Sequence, residues 1–458
     1  MKDLTQGPIV RLLLTVAGTF MVSMIANQLF SLVSIYWVGK LGAHAQAAVI
    51  LASNPIMIVL AMAPIVSSGA GVLIAQAVGA KDRDRASLIF NEAFGVSLVA
   101  TTLISGFLWA NRSAFGAALT SDHETVAMFA LYFRWVVPAM VMQVPMAILG
   151  AGLGGTGDIR TSMFFQTGAV ILRLIVTPFL LFGWLGVPRL GVEGAGLAAF
   201  LVTAVSMIGL LRYFFRANSY LKLHPRLWFV RPRTLWPVLK IGLPTGLEFG
   251  VLGFYMLMVT LLLRPFGPDE QAAFGVGQRL LMTGILPLTA LAGAASVLAS
   301  QNYGARLGHR VRESFTATTV LGLTLTPILF AICQIFPHWV CGIFSDDPGV
   351  IEGSVRFLRI TSFSLFPASV VFASFAVLSG LGNTRASLIT AATHAALVLS
   401  TAYILAQVRG FNPDWLWELM VAAAFLEMFM ALYFVRAEFR KRLTLVEAQP
   451  VMALPEAQ

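Results

Sequence analysis

Long apolar runs separated by short polar segments repeat along the whole chain. An α-helix needs about 20 apolar residues to cross a hydrocarbon core about 30 Å thick. The runs are longer than the strands of a membrane barrel, which span about ten residues and alternate between apolar and polar positions. The pattern therefore predicts an all-α polytopic membrane protein with twelve transmembrane helices, at 9–38, 45–77, 86–109, 123–152, 161–183, 190–214, 236–263, 270–303, 311–336, 349–380, 386–408 and 414–437.

A second pattern is an internal duplication with one constant offset between its two copies. Residues 41–80 align without a gap with residues 266–305, and 11 of these 40 positions are identical. The same offset pairs Arg160 with Arg385, in loops where a shared apolar composition cannot cause the match. An offset that holds in loops as well as in spans indicates two homologous six-helix units.

The duplication predicts the architecture of the molecule. Because six is an even number, both bundles enter the membrane from the same side, and such parallel repeats are related by a pseudo-two-fold axis along the membrane normal. Transporters of this kind bind substrates at the repeat interface near the midplane. We expect an N-lobe (1–210), a basic cytoplasmic linker (211–235), a C-lobe (236–440) and a cytoplasmic tail (441–458).

Composition supports a membrane protein and argues against a nucleic-acid-binding protein. Only 11% of the residues are charged, against about 25% in ordinary globular proteins. The net charge of +10 comes from 31 Lys and Arg against 21 Asp and Glu, and 21 of the 31 basic residues fall on the side that carries the linker. The positive-inside rule then predicts a multi-pass protein of a bacterial-type inner (plasma) membrane, with both termini cytoplasmic.

The ends of the chain and its cysteines add little to this picture. The N-terminal residues lead into a long span without a small-residue cleavage site, so no removable signal peptide is expected. Cys333 lies inside a span and Cys341 in an outer loop, so a disulfide between them is not expected.

Six short motifs in a fixed order resemble the multidrug and toxic compound extrusion (MATE) transporters over about residues 8–440. The motifs are LVSIYWVGKLGAHAQAAV, AQAVGAKDRDRA, GAGLGGTGDIRTSM, LGVEGAGLAAF, IGLPTGLEFG and SGLGNTRASL. The resemblance implies twelve helices in two lobes, a central cavity, and export of drugs or small organic metabolites coupled to inward flow of protons or sodium ions.

Relative to the family pattern, the N-lobe has lost its carboxylates and gained a guanidinium. Ser34 stands where the family carries an aspartate, and Thr19 where it usually carries a proline. In the fifth span, Arg173 and Thr177 replace the Asn and Asp of the family. A charge at this depth costs about 2.5–3.5 kcal/mol on insertion scales, so Arg173 should face water or a partner. It would bind an anionic or polar substrate group, hold the N-lobe in one state, or form a structural ion pair.

The C-lobe departs from the family in a different way. Val370 occupies the position where one branch of the family carries an acid in the tenth span, and Glu248 follows Pro244 by four residues rather than eight. Burial favours the neutral form of a carboxyl group, so Glu248 is the first candidate for coupling transport to protons, with a structural glutamate as the alternative. Glu427 in the last span is a second coupling candidate.

Polar and aromatic residues within the spans are candidates for lining a substrate cavity. Three of them, Asn27, Ser31 and Ser34, share one face of the first helix, although small polar groups also bond to neighbouring helices. Arg279 has the alternative of reaching toward the outer surface. The complete set is Asn27, Ser31, Ser34, Arg173, Thr177, Tyr255, Arg279 and His394.

These observations predict a secondary active exporter that works by alternating access. Its partners would be a small organic substrate, a proton or sodium ion and the lipid bilayer, with no cofactor, no metal and no nucleic acid, and the protein would act as a monomer. The loss of the N-lobe acids favours a zwitterionic or anionic substrate over a cationic one. The alternatives are a lipid-linked sugar flippase, a non-transporting membrane sensor and an intramembrane enzyme built around His394; no clustered catalytic residues accompany that histidine in sequence.

Overall fold

The computed structural model describes residues 3–183, 186, 188–215, 220–229, 231–408 and 410–443, and the regular structure within these ranges is helical. The first half contains α1 (Ile9–Gly39), α2 (Ala43–Leu60), α3 (Met62–Gly79), α4 (Arg83–Ala110), α5 (Arg112–Leu119), α6 (His123–Gly155), α7 (Ile159–Phe182) and α8 (Val192–Phe215). The second half contains α9 (Pro232–Leu262), α10 (Pro268–Gly284), α11 (Leu286–Gly304), α12 (Gly308–Ile335), α13 (Pro337–Gly342), α14 (Pro348–Thr361), α15 (Leu365–Gly380), α16 (Thr384–Leu405) and α17 (Pro413–Glu438).

The helices supply the twelve predicted spans. Within the described ranges, eleven helical stretches are long and apolar enough to cross a membrane, and the bent pair of α10 and α11 supplies a twelfth. Three spans that the sequence predicted as uninterrupted, 45–77, 270–303 and 349–380, contain a break; in the last, a 3-10 turn (Ser362–Ser364) lies between α14 and α15. The first lies between Leu60 and Met62, and the second lies at Ile285, where the helix axis bends by 44°.

The backbone repeats itself at the offset found in the sequence. Gly42 and Gly267 precede α2 and α10 with φ angles of 100° and 96°, and Lys81 and Arg306 have φ angles of 59° and 60°. A left-handed conformation is uncommon for a residue that carries a Cβ atom. Its occurrence at two positions that the repeat places opposite each other therefore identifies the two loops as copies of one turn.

Interhelical hydrogen bonds repeat as well. The Trp109 indole donates to the carbonyl of Arg134 at 3.2 Å, and the Gln334 amide donates to the carbonyl of Arg359 at 2.8 Å. The repeat aligns both members of the second pair with those of the first. Different side chains thus make the same contact in each half, which is expected when a duplicated unit diverges in sequence but keeps its packing.

The chain divides into two compact units. Unit 1 contains Gly18–Gly246 and the start of the chain up to Asp3, and unit 2 contains Leu4–Ala17 and the chain from Leu247 onward. The sequence-based lobe boundaries, with a linker at 211–235, remain a prediction. The tail prediction at 441–458 falls mostly on residues outside the described ranges, as do linker residues 216–219 and 230.

Unit 1 is organised around α6, which packs against α2, α3, α4 and α8. Its apolar core contains fully buried aromatic side chains, including the stacked pair Phe129 and Phe133 with ring centroids 4.8 Å apart. Because α6 lies within the unit and also touches α5 and α7, it anchors helices that carry the N-lobe candidates.

The described part of the linker is docked onto α4 of unit 1. Leu221 and Leu223 are buried in the apolar core. The amide of Asn91, itself fully buried, donates to the Lys222 carbonyl at 2.8 Å and accepts from the His224 backbone N–H at 2.7 Å. An Asn side chain that satisfies two backbone groups of an extended segment holds that segment in one position.

Unit 2 is organised around α15, which packs against α11, α12 and α17. Trp417 on α17 is fully buried, stacks on Phe274 at 5.6 Å and meets the edge of Phe357 at 4.8 Å. Such aromatic pairs contribute about 0.5–1.5 kcal/mol each beyond the area they bury. The cluster fixes α10, α14 and α17 together and thereby positions the acidic residue farther along α17.

Candidate functional site

Four of the sequence-predicted residues converge inside unit 2. Glu248 and Tyr255 lie on α9, His394 lies on α16 and Glu427 lies on α17. His394 Nδ1 and Glu427 Oε2 are 2.9 Å apart, within ion-pair distance but without the alignment of a hydrogen bond, and both side chains are 16% exposed. The Tyr255 ring meets the imidazole edge at 5.7 Å.

Glu248 completes this polar cluster of unit 2. It precedes Tyr255 by about two helical turns, and its nearest charged influence is the Glu427 carboxylate. The Tyr255 hydroxyl is buried without a hydrogen-bond partner. Two carboxylates and an imidazole in a weakly polar environment repel or attract each other according to how many protons they hold. The arrangement can therefore take up and release protons.

The cluster is not built as a metal site. Within the described ranges, no group of three or more His, Cys, Asp or Glu side chains is arranged to hold a metal ion. Val370, at the position where a family branch carries an acid, is a buried apolar residue of α15.

A second set of predicted residues converges inside unit 1. Arg173 on α7 places its guanidinium 4.8 Å from the centroid of the Phe30 ring on α1. Tyr132 on α6 is a buried ionisable side chain in the neighbourhood of Arg173. Thr177 is buried, and its hydroxyl donates to the Arg173 carbonyl at 2.6 Å. The Thr177 side chain is thus engaged with its own helix, and its role in a cavity stays a prediction.

The polar stripe on α1 begins one turn earlier than the sequence indicated. Ser23 and Thr167 share a hydroxyl hydrogen bond of 2.8 Å, which joins α1 to α7, and the Asn27 amide donates to the Ser23 carbonyl at 3.0 Å. Asn27 and Ser31 are exposed, and Ser34 is half-buried. The Ser23 end of the stripe links α1 to α7, whereas Asn27 and Ser31 are exposed.

Arg279 lies apart from the polar cluster of unit 2. Its side chain is exposed on α10, and its guanidinium lies 5.8 Å from the Phe344 ring in the loop between α13 and α14. The contact draws Arg279 toward the helix ends, in keeping with the alternative of a surface arginine.

The repeat offset reveals what sequence reasoning missed. It pairs Ser23 with Glu248 and Phe30 with Tyr255, so the two converging sets occupy corresponding places in the two units. Tyr132 was not among the predicted site residues. The self-alignment already pairs Tyr132 with Phe357. A tyrosine in one unit where the other has a phenylalanine was the available signal for Tyr132.

A duplicated six-helix membrane unit with ionisable groups inside its spans has the features of a secondary transporter. The MatE family model matches this chain twice, at residues 20–179 and 244–404. The starts of the two matches are separated by almost the length of one repeat, and so are their ends. The chain therefore belongs to the MatE family of multidrug and toxic compound extrusion transporters, a family of transporters and not of enzymes.

Individual relatives agree with this assignment. The multidrug export protein MepA of Staphylococcus aureus strain N315 is 23% identical over 421 residues, which cover 91% of each chain. Among solved structures, a MOP superfamily transporter from Pyrococcus furiosus superimposes with a TM-score of 0.86 at 20% identity, and a MATE transporter in a bent conformation superimposes with a TM-score of 0.89 at 20% identity. Each covers 97% of this chain and 98% of the other. The predicted fold class, with twelve helices in two lobes, is confirmed.

Proposed function

We propose that this protein exports small organic molecules in exchange for protons, and that the polar cluster of unit 2 is the coupling site. The observation that carries the proposal is the convergence of Glu248, His394 and Glu427 from three different helices inside one unit. Relatives named multidrug export proteins support a broad range of small organic substrates. The protein works by alternating access in a bacterial-type inner membrane, as a monomer with both termini and the linker cytoplasmic.

The chemistry of the cluster favours protons over sodium ions. A cation site of hard oxygen ligands needs several of them around one ion. Here His394 contacts the Glu427 carboxylate, so one acid is already engaged by a nitrogen group. Proton capture at Glu248 removes the charge repulsion between Glu248 and Glu427. Proton binding and release can therefore bias two states of unit 2, which is the requirement for coupling.

The test is export from proteoliposomes under an imposed pH gradient, with a panel of cationic, zwitterionic and anionic dyes as substrates. Glu248→Gln should lower gradient-driven export by about tenfold or more, since a proton carrier is replaced by a neutral amide. A pH-sensitive dye inside the vesicles should report substrate-driven proton movement in the wild type only.

Glu418→Gln is the matched control, because Glu418 is an exposed carboxylate on the same helix as Glu427. It should leave export unchanged. Export that follows a sodium gradient, and survives Glu248→Gln, would reject proton coupling at this site. Absence of transport of every dye, with no substrate-driven proton movement, would favour the non-transporting sensor.

A further inference from the structure

The two corresponding sites contain different ionisable groups. In unit 2 the α9, α16 and α17 positions are Glu248, His394 and Glu427. The repeat aligns them with unit 1 residues that are not acidic, Ser23, Ala169 and Val202. The charge of the unit 1 site comes instead from Arg173, whose counterpart in unit 2 is the buried Val398. Unit 2 thus carries two carboxyl groups and an imidazole inside its spans, and unit 1 carries a guanidinium at a different position of the repeat.

Arg173 lies deep within its span. It follows the start of α7 by about 21 Å and precedes its end by about 14 Å, from the helical rise per residue. At that depth a guanidinium lacks bulk water and requires a partner. Phe30 covers one face of the guanidinium, with the Arg173 guanidinium carbon 4.8 Å from the ring centroid.

The N–H donors of the Arg173 guanidinium have no hydrogen-bond acceptor among the described residues. An arginine side chain carries five N–H donors. Across the described ranges, Arg173 makes no ion pair, and no acceptor receives a hydrogen bond from its side chain. Arg134 in the same unit differs, because its guanidinium lies 3.7 Å from the Glu193 carboxylate. Arg134 thus has a carboxylate partner, whereas Arg173 has none among the described residues.

We infer that Arg173 is the anchor of a substrate-binding site for monovalent aromatic carboxylates. The planar fork of a guanidinium matches a carboxylate through two parallel hydrogen bonds. A single basic group favours one negative charge over a phosphate dianion. Phe30 adds apolar ring surface beside the fork, which suits a flat apolar body attached to the carboxylate. This inference rests on the proposed export function, since it assigns the class of substrate, and it separates anion binding in unit 1 from proton binding in unit 2.

Equilibrium binding to the purified full-length protein in phosphatidylcholine nanodiscs tests the inference without any transport step. Two fluorescent probes with the same ring and opposite charge are compared, pyrenebutyrate and pyrenebutyl-trimethylammonium. The wild type should bind the carboxylate about tenfold more tightly than the ammonium compound, as expected for a charge-assisted bidentate contact. Arg173→Gln should abolish this preference, and Arg173→Lys should keep its direction with weaker affinity, because lysine retains the charge without the fork.

Arg134→Gln is the matched control, because it removes a guanidinium of unit 1 that already has a carboxylate partner. It should leave the carboxylate Kd unchanged. Equal or tighter binding of the ammonium probe by the wild type would overturn the inference, whatever the folding of the variants. Displacement of pyrenebutyrate by phosphatidylglycerol, with no displacement by other soluble aromatic carboxylates at saturating concentration, would also overturn it in favour of a lipid anion.

Failure of this inference is distinguishable from failure of the proposed function. Glu248→Gln should keep the preference for the carboxylate probe over the ammonium probe, because Arg173 in the other unit is unaltered. Loss of proton-driven export in Glu248→Gln, with an unchanged charge preference at Arg173, would support both. Export that requires Glu248 but shows no preference for the carboxylate probe would retain the coupling site and reject the substrate class.

Discussion

At the level of single residues, a histidine joins α2 to α6 at the end of unit 1 opposite the linker. His44 Nδ1 lies 2.8 Å from Asp122 Oδ2, and His44 Nε2 lies 3.7 Å from Glu124 Oε2. The hydrogen bond to Asp122, with the nearby charges of Glu124 and Asp122, raises the pKa of His44 above its ordinary value. Hydrogen bonds from Thr125 and His44 lower the pKa of Asp122 to about 2.

The contact is therefore pH-dependent with a definite sign. His44 contributes stability below its ordinary pKa of 6.5, and loses it as pH rises through the raised value. Asp122 contributes above its ordinary pKa of 3.8, and loses it as pH falls toward 2. We expect the Tm difference between the wild type and His44→Gln to be largest between these two ordinary values and to vanish at alkaline pH. Thermal unfolding from about pH 5 to about pH 9 checks this.

Asp122→Asn is the companion variant, because asparagine still caps α6 while the negative charge is removed. Asp122→Asn should also remove most of the decrease in stability that the wild type shows as the pH becomes alkaline. A Tm difference for His44→Gln that stays constant across the pH range would contradict the assignment of the effect to His44 protonation.

For the site residues, the sequence indicated which side chains carry the chemistry but not which side chains they contact. Glu248, His394 and Arg173 were recognisable because ionisable groups inside apolar spans are rare and costly. The pairing of His394 with Glu427 could not be read in advance, because the two residues lie on different helices whose rotation about their axes is set by packing. The same reason explains why Ser23, bonded to Thr167, was overlooked.

At the level of helices, close packing of α3 against the N-terminal half of α9 depends on glycine. A Cβ atom on Gly242 would overlap the backbone carbonyl of Ile65, and one on Gly246 would overlap the Ile65 side chain. Gly69 approaches the Val238 carbonyl in the same way. Small residues four apart allow membrane helices to approach closely. The contact ties the first turns of α9 to unit 1.

Gly242→Ala should therefore destabilise the protein by about 1–3 kcal/mol, the usual cost of overpacking. Gly250→Ala on the same helix is the control, because its Cβ atom would meet nothing within 4 Å. Thermal unfolding in detergent should show a lower Tm for the first variant and an unchanged or slightly higher Tm for the second. Equal Tm values for both variants would show that this packing contact is not stabilising.

The spans were predictable as elements, but their breaks were not. Every predicted span corresponds to a helix or helix pair because about 20 apolar residues in succession are a local signal. Proline was an inconsistent marker: α6 continues through Pro138 and Pro145, whereas Pro287 stands in the first turn of α11, directly after the bend at Ile285. Whether a proline interrupts a membrane helix depends on neighbouring groups that satisfy the freed carbonyl, which is a tertiary property.

At the level of the whole molecule, the duplication extends to strained turns. Lys81 and Arg306 both adopt the left-handed conformation after equivalent helices. For a residue with a Cβ atom this conformation costs about 1–2 kcal/mol. Because both copies retain a basic residue there, the placement of positive charge has been kept at the expense of backbone strain.

Lys81→Gly and Arg306→Gly should each stabilise the protein by about 1 kcal/mol, since glycine adopts this conformation without a steric penalty. Lys81→Ala is the control, because it removes the charge and keeps the Cβ atom. The gains should add in the double variant, because the two turns belong to different units. Differential scanning calorimetry measures both quantities. A gain for Lys81→Ala equal to that for Lys81→Gly would attribute the effect to charge instead.

Apolar periodicity and self-similarity, both readable from the chain alone, determined the class of fold, the number of spans and the family of this protein. They could do so because membrane insertion depends on local apolar length, and because a duplication is visible without coordinates. Only the tertiary structure decided that Glu248, His394 and Glu427 meet in one unit, and that Arg173 meets Phe30 without a carboxylate partner among the described residues. Such meetings depend on helix rotation and packing between segments far apart in sequence, which no local pattern encodes.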